Sequence, residues 1–140
     1  MRTIVLDSGA FIAAERRERR LVDFLEAAAR EGATILLPAV VVAEMWRDPP
    51  RPLSAKLVGT ADVVVPLDLS KAQSVGGLLG KTQTSQIVDA NVATMAVDFN
   101  PSLVLTSDPA DLELLVRALG ASCSVSPKRT RGVAVIIEPL

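Results

Sequence analysis

Four carboxylates interrupt stretches of the chain that otherwise read as core. Asp7 closes the apolar run in "TIVLDSGAF", Glu44 lies in "VVVAEMW", Asp89 in "QIVDANVATMA", and Asp108 in "VLTSDPADL", one turn before Asp111. Val40 and Val41 precede Glu44 by four and three residues, so helical spacing predicts a shared apolar face. Val92, Ala93 and Ala96 do the same for Asp89. A carboxylate taken out of water without a partner is costly, and it either keeps a proton or acquires a counter-charge. Two like charges 4 Å apart repel by roughly 4 kcal/mol at an effective dielectric near 20. Several acids in one apolar crevice therefore need protons or a cation among them, and a divalent cation is the economical answer.

Each acid except Glu44 also has an ordinary structural use. Asp7 and Asp108 stand where helix caps stand, and Asp89 suits the first turn of a helix through the dipole. Asp98 lies roughly 180° around the helix from Asp89 and is expected in solvent. Asp68 is expected to cap the helix that begins near Ser70. Asp23 and Glu26 fall outside the apolar stripe and are expected at the surface.

The residues that are missing sharpen the chemistry. The 140-residue chain contains no histidine, no tyrosine and one cysteine, Cys123. Histidine-dependent triads, imidazole bases and histidine-ligated metals are excluded, and little remains for zinc. Carboxylates and hydroxyls are left, the hard oxygen donors that suit Mg2+ or Mn2+. A lone cysteine excludes an internal disulfide framework and fits a reducing compartment, so the expected location is cytoplasmic. Net charge is −1, so any nucleic acid must be recognised through a local basic patch. The most apolar segment, residues 35–46, is broken by Pro38 and Glu44 and is too short to span a bilayer. No signal-peptide pattern opens the chain, and no membrane association is expected.

The acids must be positioned by the elements around them. At 49% hydrophobic and 22% charged, the chain reads as one globular domain over residues 1–140. Short β-branched runs predict strands over 3–6, 34–37, 63–65, 103–106, 123–126 and 133–137. Most lack clean alternation, as strands covered on both faces do. Helices are predicted over 39–46, 87–99 and 108–119, and another passes through Leu21, Phe24, Leu25 and Ala28 to stop at Gly32. Thr84 or Ser85 is available to cap the helix of Asp89. Pro49-Pro50-Arg51-Pro52 reads as a loop. The alternation predicts an α/β fold with a mostly parallel central sheet flanked by helices. In such sheets, sites form at the carboxyl ends of strands where strand order reverses, which is where Asp7 is expected.

The stretches "IVLDSGAFIA", "PAVVVAEMWR", "TSQIVDANVATMA" and "VLTSDPADLELL", in that order, resemble the four acidic motifs of PIN-domain ribonucleases. They are most similar to the small VapC-type toxins of toxin–antitoxin pairs, and the resemblance spans Thr3 to Leu115. It implies a single PIN-like domain and a Mg2+- or Mn2+-dependent endoribonuclease that hydrolyses RNA phosphodiester bonds. Asp7, Glu44, Asp89 and Asp108 match the metal-binding catalytic acids, and Asp111 matches an acid found beside the fourth. Ser8 and Thr106 match hydroxyl positions that support the cluster. RNA needs nearby cations, for which Arg16, Arg17, Arg19, Arg20 and Arg47 are candidates, with Lys128, Arg129 and Arg131 near the end. Solvated surface is the ordinary reading of any one of these. The implied partners are an RNA substrate and a cognate antitoxin, with room for a homodimer. The apolar residues at 10–14, with Phe24 and Leu25, are expected to contribute to an antitoxin groove. Among the alternatives is a catalytically silent PIN-fold binding module or regulatory RNA-binding protein. A haloacid-dehalogenase-like phosphotransferase is disfavoured because Gly9 stands where its second aspartate would be.

Overall fold

The computed structural model describes residues 2–126 and 132–140. Among them the chain alternates strand and helix in this order: β1 (Thr3–Leu6), α1 (Ser8–Glu15), α2 (Arg19–Glu31), β2 (Ile35–Pro38), α3 (Ala39–Met45), α4 (Pro52–Thr60), β3 (Val63–Val65), α5 (Leu69–Thr82), α6 (Ile87–Asp98), β4 (Ser102–Thr106), α7 (Pro109–Ala118), β5 (Cys123–Val125) and β6 (Val135–Pro139). All the strand pairings are parallel, in the order β3-β2-β1-β4-β6-β5. The fold is α/β, with the sheet parallel throughout its six strands.

The central strands are buried along most of their length because helices cover them on both faces. Val5, Leu6, Val104, Leu105, Val135 and Ile137 are inaccessible to solvent. Ile4, Leu103 and Ile136 share one register row, and they line a cavity with Phe24, Ala27 and Ala28 of α2. The helix α6 packs on β1, β4 and β2 while α5 and α7 pack against it. Residues Ala90 to Ala96 of α6 are consequently all buried, the pattern of a helix enclosed all round rather than carrying one apolar stripe.

The strand order reverses between β1 and β4. From β1 the chain builds outward through β2 and β3, then returns to add β4 on the other side of β1. Their register, Leu6 opposite Leu105, brings Asp7 and Thr106 level at the carboxyl ends.

Predicted boundaries shift by a residue or two. The last strand starts at Val135 rather than Val133, whose side chain is buried outside the ladder. The residue capping α6 is Gln86, not Thr84 or Ser85, and it makes no side-chain cap hydrogen bond. Asp68 caps α5, accepting from the backbone N–H of Lys71 at 2.9 Å. Pro52 opens a helix, since proline lacks only an N–H that the first turn leaves unused. No helix among the described residues is long and apolar enough to cross a membrane.

Candidate active site

Asp7 is the fixed point of the site. It follows β1 directly, is 1% exposed, and caps α1 by accepting from the backbone N–H of Ser8 at 2.8 Å. The Ser8 hydroxyl is 3.5 Å from the same oxygen, too long to contribute much. The second carboxylate oxygen accepts a 2.6 Å hydrogen bond from Thr106 Oγ1 at the end of β4. That hydroxyl also accepts from the backbone N–H of Asp108 at 3.0 Å. One threonine thus ties the first acid to the loop carrying the fourth. Burial pushes the Asp7 carboxyl above its ordinary range. The bonds from Thr106 and Ser8 pull it back, and the charges of Asp108 and Glu44 push it up again.

Asp89, half-buried in the first turn of α6, shows the same field more plainly. Its carboxyl is pushed up to about 6, first by burial and then by the charges of Asp7, Asp108, Asp111 and Glu44. Among the described residues, every charged group acting on it is an acid. The other four sequence-selected carboxylates therefore all lie within electrostatic reach of Asp89.

They differ in burial. Asp108 and Asp111 are exposed, and Asp108 makes no side-chain cap hydrogen bond to α7. Glu44 is exposed too, which corrects the expectation that its helix face is buried. The buried line of α3 runs through Val41 to the half-buried Met45. A three-residue step is 300°, so Glu44 lies about 60° off that line, at the margin of the core. Asp98, Asp23 and Glu26 are exposed, as expected. Among the described residues, no three acid, histidine or cysteine side chains are arranged to hold a metal ion as they stand. The donor set suits a hard cation in charge and chemistry. Holding one requires the exposed carboxylates to close on Asp7 and Asp89.

The basic candidates separate into engaged and open residues. Arg20 is bound to the buried Glu138 of β6 at 2.6 Å, and Arg19 pairs with Asp23 one turn along α2. Arg47 turns its guanidinium back onto the carbonyls of Glu44 and Trp46. Arg16 and Arg17 are exposed and, among the described residues, pair with no carboxylate. Lys128, Arg129 and Arg131 lie outside the described residues.

Two features escaped the sequence reading. A Cβ on Gly9 would come within 2.6 Å of the Ser107 backbone nitrogen, so only glycine lets α1 approach the β4–α7 loop this closely. Glu15 accepts from both the backbone N–H and the hydroxyl of Ser54, at 2.9 and 2.7 Å, capping α4 from the end of α1. Neither leaves a local signature. Glu138 did carry one, a carboxylate at the end of an apolar run, the same feature that marked Asp7.

No family model matches the chain, and no curated protein matches it.

Proposed function

We propose that this protein is a metal-dependent endoribonuclease of the PIN-domain kind, the toxin of a toxin–antitoxin pair. The observation that carries the reading is the convergence on Asp89 of four acidic charges, with no cationic counterpart among the described residues, beside the β1/β4 reversal. Asp7, Glu44, Asp89, Asp108 and Asp111 would hold Mg2+ or Mn2+. When bound, the ion supplies charge neutralisation at the scissile phosphate and an acidified water.

The chain's own part is positional. Thr106 and the Ser8 backbone fix Asp7, while exposed Asp108, Asp111 and Glu44 are free to reorient toward it. Arg16 and Arg17 remain available to phosphates. A partner has a surface to use, since Ala14, Arg17, Leu21, Leu25, Leu53 and Leu57 line an apolar cavity of about 180 Å³ between α1, α2 and α4. Of the residues expected at such a groove, Ala10, Phe11 and Ala13 belong to the core, whereas Ile12 is exposed.

The deciding experiment is cleavage of structured RNAs with and without Mn2+, with Asp7→Asn as control. Metal-dependent cleavage lost in Asp7→Asn is expected, and no cleavage by the wild type overturns the reading. Co-expression with the protein encoded immediately upstream tests the toxin assignment by growth, co-purification and RNase activity. An upstream product that neither binds nor suppresses cleavage removes the antitoxin and leaves the nuclease. One observation favours a second reading, the silent binding module: the five acids form no ready-made ion cage. RNA binding without cleavage at any metal concentration supports that alternative.

A further inference from the structure

Beside the acids lies a cleft of about 130 Å³ walled by Thr84, Gln86, Asp89, Asp111, Leu114 and Leu115. Its composition differs from that of the other cavities. Two of the lining residues are acids of the candidate site, one is Gln86, and two are leucines of α7. Leu114 is 55% exposed, and Ile87, next to Gln86, is 53% exposed. Gln86 caps α6 through its backbone position only, leaving its side-chain amide out of the helix. The Thr84 hydroxyl hydrogen-bonds with that of Thr82 at 2.9 Å, which ties the loop to the end of α5.

We propose that this cleft receives one nucleobase of a single-stranded RNA, next to the scissile phosphate, that Gln86 sets the base preference of the cut, and that Leu114 supplies an apolar contact common to all four bases. This deepens the nuclease reading and rests on it. The size suits one planar base, being well below the several hundred Å³ of a drug-sized pocket. A carboxamide offers a donor and an acceptor side by side, the pattern that reads a base edge, and an exposed leucine supplies an apolar surface for the ring. A neutral base can enter beside Asp89 and Asp111 where a phosphate, repelled by both carboxylates, cannot, so the base rather than the phosphate is the group suited to the cleft. The chain's three phenylalanines and single tryptophan are absent from the cleft walls. Recognition therefore rests on the amide and on aliphatic contact rather than on aromatic stacking.

The test uses the full chain and two readouts. Amide shifts are followed by NMR during titration with each of the four nucleoside monophosphates, and cleavage of a randomised RNA pool is sequenced in Mn2+. Base-dependent shifts at Gln86 and Leu114 are expected, together with a preference at one nucleotide flanking the cut. In Gln86→Ala that preference falls about tenfold, the scale of one good base-edge contact, while the Mn2+-induced rise in melting temperature is retained. Leu114→Ala weakens all four monophosphates alike. A wild type that cleaves RNA without shifts at these residues, or an unchanged preference in Gln86→Ala, overturns this proposal and leaves the nuclease standing. Absence of both shifts and cleavage overturns both.

Discussion

The hydroxyl of Thr106 donates to the buried carboxylate of Asp7 across 2.6 Å, joining residues ninety-nine positions apart in sequence. It joins the ends of β1 and β4 at the point where strand order reverses, beside the backbone bond from the Asp7 N–H to the Leu105 carbonyl at 3.1 Å. Thr106→Val keeps the shape and removes the donor, leaving a buried carboxylate oxygen short of a partner. The expected cost at neutral pH is about 1–3 kcal/mol, read from urea denaturation. An unchanged midpoint would show that water substitutes for the hydroxyl.

Stability without metal is expected to fall as pH rises. The carboxyls of Asp7 and Asp89 are both raised in the folded state, Asp89 from 3.8 to about 6. Between those values the native state holds protons that the unfolded chain has released, so the sign of the linkage makes native stability decline with pH. For Asp89 the penalty is absent below about pH 4 and expressed above about pH 6. Because Asp89 is half exposed, its share is on the order of 1–2 kcal/mol after allowance for solvent screening. Chemical denaturation in chelator at pH 4.5 and 7.5 measures it, and a flat or rising profile would contradict the electrostatic picture.

Asp89→Asn removes one of the converging charges. Without metal at neutral pH, this variant is expected to be as stable as the wild type or more so, while losing cleavage. A large loss of stability in chelator would mean that Asp89 serves the fold instead.

Mg2+ or Mn2+ is expected to raise the melting temperature. Binding to the native state alone stabilises by about 2.7 kcal/mol at a hundredfold excess over the dissociation constant. Asp98→Asn should leave the shift intact, since Asp98 is exposed and does not act on Asp7 or Asp89. Millimolar ion without any shift would count against the metal site.

Gly9→Ala places a methyl group 2.6 Å from a backbone nitrogen that cannot rotate away. Overpacking of this kind costs typically about 1–3 kcal/mol. Because the displaced loop carries Asp108, metal affinity should drop along with stability. Separate measurements of chelator stability and Mn2+ titration check both effects, and retained metal affinity would show that the loop adjusts without moving the acid.

The α/β class, the strands and the positions of Asp7 and Asp89 could be read from sequence because they depend on local pattern. An apolar run cut by an acid marks a strand end, and a helical repeat marks α6. What failed depends on contacts between distant segments. Glu44 shares a helix with Val41, but whether its side is covered is decided by what packs over α3. Arg20 looked like one of a basic cluster until β6 brought Glu138 beside it. The approach of Gly9 to Ser107 and the capping of α4 by Glu15 involve partners that no spacing rule connects. Each of these relationships depends on a segment far away in sequence, about which the local pattern carries no information.

The order of the strands also sets when the acids can meet. Since β4 inserts next to β1, a nascent chain emerging from the ribosome already carries Asp7, Glu44 and Asp89 before the segment that seats Asp108 has been made. Non-local parallel pairing is slow to form because a long loop must close before any contact rewards it. The seat of the fourth acid is thus among the last parts of the molecule to assemble during synthesis. On the proposed nuclease reading, that delay is an interval during translation in which the acids of the site are not yet assembled. On that reading, a product ending before Ser102 would lack both Thr106 and Asp108 and would not cleave RNA.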